Sequence, residues 1–244
     1  MHLDEYRKLA AVEDRMWYFH ALNRRLAHWL HRALPEGPAH VLDAGCGTGG
    51  LIAFLRSTNA AWRLTGLDFM PLACTLAQER TGGTIVQGSI TALPFGDATF
   101  DAVVSADVLC QVEDRALALR EFARCVRPGG AVLVNVPAYR WLWSYHDTTC
   151  ETKHRFTRPE LVRLFRAAGL RPTYATYANC LPLPLFWARR KLFRPAHPTS
   201  DVQLYPAPIE VGFAALARAE FAWQRRGLAS PWGSSVFVVG LRAG

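Results

Sequence analysis

The stretch that decides the fold is VLDAGCGTGG, residues 41–50. HVLDAG reads as a strand, and GLIAFLRST after it reads as a helix. Between them, Gly45, Gly47 and Gly49 let the backbone approach a ligand and point amide hydrogens at it from a helix N-terminus. Gly45, Gly47 and Gly50 also satisfy the GxGxxG dinucleotide fingerprint, which by itself decides nothing. Asp43, two residues before the first glycine, is more informative. A carboxylate there repels a pyrophosphate but suits a cationic amine.

Outward from that turn the pattern repeats. WRLTGLD reads as a second strand, PLACTLAQER as a helix and GTIVQGS as a third strand. FDAVVSA is a fourth, RALALREFARCV a helix, and AVLVNVPA a fifth strand, with PGG at 128–130 ending the helix and turning the chain. Strands alternating with helices imply a parallel sheet covered on both faces, an α/β fold. Asp68, which ends the second strand, is placed to accept hydrogen bonds from ribose hydroxyls.

Composition sets the limits. The 244 residues are half hydrophobic, enough for one domain with a sizeable core. No apolar run approaches the ~18 residues of a membrane span, and the charged N-terminus does not look like a secretory signal. A cytoplasmic location is expected. Six scattered cysteines without a CxxC pair read as reduced thiols. The net charge of +8 is concentrated in residues 138–244, which hold fifteen Lys and Arg against six Asp and Glu. That balance favours an anionic partner or a solvated basic face.

Taken together, DAGCGTGG, Asp68, the GSITALPF turn, FDAVVSADVLCQV and RPGG resemble class I S-adenosylmethionine-dependent methyltransferases over about residues 40–137. The resemblance implies a Rossmann-like seven-stranded sheet whose last strand is antiparallel, for which SSVFVVGLRAG (234–244) is suited, with RPTYATYA before it. It also implies S-adenosylmethionine as cofactor. Asp43, Gly45, Cys46, Gly47 and Gly49 would lie by its methionine end and Asp68 by the ribose. Phe69 would lie against the adenine, and Ser89 and Ile90 by the adenine amino group. Ala106 and Asp107 would flank the reactive sulfur. The family usually has Asp where this chain has Ser89, a weaker acceptor.

The two ends are expected to choose the acceptor. Residues 1–39 read as a helical arm and cofactor lid, with Leu22, Leu26, Trp29 and Leu30 opposite Arg24, Arg25 and His28, and with Trp17, Tyr18 and Phe19 interrupting it. Residues 40–244 form the methyltransferase domain, with an acceptor-side loop at 138–157 and an insertion at 181–230. In the loop, His146, Cys150 and His154 have the even spacing of metal ligands. The Thr157–Glu160 capping box starts a helix near Arg158 that runs to Gly169, after those three, so no metal is expected. His146, supported by Asp147, and then His154 are the candidate bases. Arg155 is the candidate anion ligand, and Tyr145, Trp17 and Tyr18 are candidate acceptor contacts. Within the insertion, PIEVGFAALARAEFAWQRRG reads as an amphipathic helix with Ile209, Phe213, Leu216 and Phe221 on or near one side.

The expected reaction is in-line methyl transfer to a small-molecule or lipid-like acceptor, with an anionic group as one option. The alternatives are an NAD-dependent oxidoreductase or a non-catalytic S-adenosylmethionine-binding protein. Nucleic acid is set aside, since no Asn-Pro-Pro-Tyr-type motif follows the fourth strand. The insertion reads as an acceptor lid, with a homodimer contact or peripheral membrane contact through 181–195, where Arg189, Arg190, Lys191 and Arg194 follow an apolar run, as the alternatives to a monomer in solution.

Overall fold

A computed structural model describes residues 3–191 and 200–244. Arg194 lies outside the described residues, as do the side chains of Arg189, Arg190 and Lys191. The chain opens with two helices, α1 (Leu3–Val12) and α2 (Trp17–Ala33). β1 (Ala39–Ala44), α3 (Gly50–Thr58), β2 (Trp62–Asp68), α4 (Pro71–Thr81) and β3 (Thr84–Gln87) follow in alternation. β4 (Phe100–Ala106), α5 (Arg115–Cys125) and β5 (Val126–Pro137) complete the parallel part. A short helix α6 (Tyr145–Thr149), then α7 (Arg158–Ala167) and β6 (Leu170–Ala178) come next. Last are α8 (Leu183–Lys191), α9 (Ala207–Gln224) and β7 (Ser235–Arg242).

The seven strands lie in the order β3-β2-β1-β4-β5-β7-β6, parallel except for β7, which runs antiparallel to both its neighbours. Period-two alternation splits the core between the two faces. Val103, Val132 and Val134 face α5 and α7 through Phe122 and Phe165. Ala102, Val104, Ala131 and Leu133 face α2 and α3 through Leu26, Leu30 and Leu55. The order reverses between β1 and β4, and such a switch point opens a crevice beyond the C-terminal strand ends. No helix among the described residues is long and apolar enough to cross a membrane.

Four local expectations need correction. RPGG does not separate helix from strand: α5 stops at Cys125, and the glycines form an irregularity inside β5, where pairing jumps from Val126 to Ala131. Trp17 and Tyr18 do not interrupt the arm but open α2. Arg25 is not on a solvated face, because α9 covers it and Gln224 accepts a hydrogen bond from its Nε at 2.9 Å. For the same reason the inward side of α9 carries Glu220 and Gln224 beside Phe213 and Ala217, leaving Ile209 45% exposed.

Candidate cofactor and acceptor site

A cavity of about 1010 Å³ sits over the switch point. Its floor is the turn after β1. Gly45 (φ +97°) has to be glycine, since a Cβ there would lie 2.2 Å from Val108 Cγ2. Gly45 and Gly47 line the cavity, whereas Gly49 does not: its Cα faces Ala77 and Thr81, so it serves the packing of α3 on α4. Cys46 lines the cavity, but its buried thiol points at Gly66 and burial pushes its pKa up.

Asp43, at the C-terminal end of β1, is 4% exposed, and its Oδ2 has no hydrogen-bond partner among the described residues. Burial first, then the Asp68 and Glu13 charges, push its pKa up to about 8. An orphaned buried carboxylate oxygen is costly unless a cation or donor meets it. Asp68 is also buried, and desolvation raises its pKa. Its carboxylate accepts from the Gly47 and Met70 amides at 2.9 and 3.0 Å. Phe69, 70% exposed, and Ser89 and Ile90 carry the wall onward, the Ser89 hydroxyl sharing a 2.8 Å hydrogen bond with Thr91.

Past the end of β4, Ala106 and Asp107 line the same space. Asp107 is held at φ +59°, in the left-handed region that a non-glycine residue enters at a cost, and such strain gathers at functional sites. Its carboxylate accepts from Tyr18 Oη at 2.6 Å and from Asn135 Nδ2 at 3.0 Å, and burial raises its pKa. Trp17 also reaches the cavity but is 2% exposed, with its ring 5.2 Å from Phe213.

The opposite wall comes from residues 138–157 and 201–205. A second capping box, Ser144 with Asp147, starts α6 where a plain loop was expected. It puts His146 and Cys150 one turn apart, with Sγ 3.6 Å from Nδ1. His146 lines the cavity, and its Nδ1 accepts the Asp201 amide at 3.1 Å. That hydrogen bond ties Nδ1 to the backbone, and Nε2 lies 3.8 Å from the Cys150 sulfur, so the ring is engaged by the wall itself.

His154 does not line the cavity. Its Nε2 meets Glu160 Oε1 at 2.7 Å at the start of α7, which also removes it from the His146–Cys150 face. Arg155 touches the cavity, yet its guanidinium is committed to a buried bidentate pair with Asp147 (2.7 and 3.0 Å) and to the Ala138 carbonyl. Tyr145 lies outside the lining, donating to Asp201 Oδ1 at 2.8 Å. Sequence reasoning passed over Tyr6, Glu13, Asn135 and Tyr205. Only Glu13 left a trace, as part of an acidic pair before the aromatic cluster.

Comparison with known proteins places the chain in a family and a fold. Residues 42–134 match the family described as Methyltransferase domain. The chain is 38% identical over 173 residues to malonyl-[acyl-carrier protein] O-methyltransferase of Pseudescherichia vulneris, covering 66% of this chain and 68% of the relative. It is 36% identical over 105 residues to demethylmenaquinone methyltransferase of Bacillus licheniformis, covering 41% of this chain and less than half, 45%, of that relative. A chain from the complex of the Haloferax volcanii Trm112 methyltransferase activator with a methyltransferase shares the fold. It has a TM-score of 0.64 at 24% identity and covers 99% of this chain and 97% of its own. Fold, glycine turn and sequence likeness converge, and the chain belongs to the class I S-adenosylmethionine-dependent methyltransferases.

Proposed function

We propose that the chain transfers a methyl group from S-adenosylmethionine to a small-molecule or lipid-like acceptor. The observation that carries this reading is the buried, unpartnered Asp43 oxygen in the glycine cradle. It fits the cationic amine of an amino-acid cofactor and disfavours the pyrophosphate of a nicotinamide dinucleotide.

Asp43 takes that amine, the Gly45–Gly47 backbone lies along the methionine end, and Asp68 takes the ribose hydroxyls. Phe69, Ile90 and Ser89 flank the adenine. The cofactor supplies a methyl on a sulfonium, open to in-line displacement. Tyr6, Leu9 and Glu13 of the arm line the cavity, and Glu13 accepts from Thr48 and Arg80, which supports residues 1–39 as a cofactor lid. Met16, Tyr18, Leu22 and Val108 give the reacting region apolar and aromatic walls that exclude water.

Asp107 faces the methyl side and takes the acceptor's proton where the acceptor is a hydroxyl. Tyr18 and Asn135 hold its carboxylate in place, and its raised pKa suits a base. The test is incubation with S-adenosylmethionine and a small-molecule or lipid extract, scored by S-adenosylhomocysteine release. Release that drops at least tenfold in Asp107→Asn supports the reading. Intact cofactor binding with no release from any extract replaces it with a non-catalytic cofactor-binding protein.

A further inference from the structure

Three adjacent strands finish at one edge of the sheet: Pro137 of β5 pairs with Ser235 of β7, which pairs with Ala178 of β6. The cavity reaches this edge, where Pro137, Ser234 and Ser235 line it. The segments next to these strand ends expose large apolar side chains. Trp141 is 54% exposed, Leu185 56%, Trp187 41% and Trp232 55%. The segments of Trp141 and Trp232 are held to the edge by the fold. Tyr139 stacks on both Trp141 and Tyr177, with centroids 5.5 and 4.9 Å apart. Gly233, beside Trp232, lies against Ala178 so closely that a Cβ would sit 2.2 Å from its carbonyl oxygen.

Single exposed leucines are ordinary, but three exposed tryptophans in the segments that follow or precede three neighbouring strand ends are not. The indole has an apolar body and a polar N–H, the pairing that favours the headgroup level of a bilayer. The charges complete the pattern. Segments 138–144, 178–191 and 228–235 contain Arg140, Arg189, Arg190 and Lys191 and no Asp or Glu. Arg140 is exposed beside Trp141. Apolar and basic residues without carboxylates complement an anionic lipid surface.

We propose that this rim is a docking surface for an anionic lipid bilayer. The rim seats the cavity mouth at the headgroups with Trp141, Leu185, Trp187 and Trp232 inserted. The inference stands on the surface alone; that the bilayer also delivers the acceptor is the part that rests on the methyl-transfer reading.

The test uses the full chain with vesicles of phosphatidylcholine, alone or mixed with phosphatidylglycerol, read by co-sedimentation and by tryptophan emission with brominated acyl chains. The expected result is binding to the mixed vesicles about tenfold tighter than to phosphatidylcholine, weakened by salt and accompanied by quenching. Trp141→Ala with Trp232→Ala, and separately Leu185→Glu, each weaken it about tenfold while S-adenosylhomocysteine binding and melting temperature hold. No binding to mixed vesicles, binding indifferent to these substitutions, or wild-type self-association that the same substitutions abolish would each overturn the proposal. A bilayer failure with intact S-adenosylhomocysteine binding leaves the methyltransferase reading standing.

Discussion

On the glycine-turn side of the cavity, Asp43 and Asp68 lie at the ends of neighbouring parallel strands, and Asp43 keeps a buried oxygen without a partner among the described residues. On the acceptor side, Tyr18, Asp107, Asp147, Arg155 and Asp201 come from distant parts of the chain, and their side chains are already hydrogen-bonded to other side chains or to backbone. The first side stores an unmet electrostatic demand and is built to be completed by a cation. The second is a wall whose ion pairs serve the fold, so its residues are poor guides to the acceptor's charge. An arginine in a pocket is therefore no evidence of an anionic ligand until its partners are counted.

The contrast can be broken by mutation, and the largest effect belongs to the wall. Arg155→Ala leaves Asp147 buried and uncompensated and should cost about 3–5 kcal/mol of stability. Chemical denaturation measures this; an undisturbed midpoint with weaker acceptor affinity would return Arg155 to ligand binding. Asp43→Asn does the opposite. It should weaken S-adenosylhomocysteine binding about a hundredfold, near 2.7 kcal/mol, by titration calorimetry.

The same substitution should stabilise the free protein in a pH-dependent way. Asp43 sits at about 8 in the fold and near 3.9 unfolded. Between those values the unfolded chain releases the proton while the folded chain keeps it. Asp43 therefore erodes stability progressively from about pH 4 to about pH 8 and by a constant amount above. Asp43→Asn should melt several degrees higher at pH 8 and alike near pH 4.

Tyr18→Phe removes one of the two side-chain donors to Asp107 and should cost about 1–2 kcal/mol while lowering turnover more than cofactor affinity. An unchanged turnover would detach Asp107 from the reaction. The smallest effect is His154→Ala. Its pair with Glu160 is about one-third exposed on both sides, so a loss below about 1 kcal/mol and full activity are expected.

What could be read from the sequence follows the range of the interactions. HVLDAG, TGLD and FDAVVSA carry their own strand pattern, and the glycine turn needs no distant partner to be recognised. The Ser144–Asp147 cap was equally local and could have been read from its Ser-x-x-Asp spacing. Tyr18–Asp107, Tyr145–Asp201 and Trp17–Glu210 span 89, 56 and 193 residues, and no periodicity announces such contacts. Arg25 looked solvent-facing because the helix that buries it arrives nearly two hundred residues later. The cofactor half was legible because strands and turns are local, while the acceptor half depends on tertiary docking of both chain ends.

On the proposed reading, Asp43 receives the cofactor's amine. Calorimetric titration of the wild-type chain with S-adenosylmethionine, and in parallel with NADH, from pH 6 to about pH 8.5 tests it most directly. One-to-one binding of S-adenosylmethionine that tightens as pH rises towards the Asp43 value of about 8, loss of that tightening in Asp43→Asn, and no NADH binding are expected. NADH binding, or S-adenosylmethionine affinity that ignores both pH and the substitution, would contradict it.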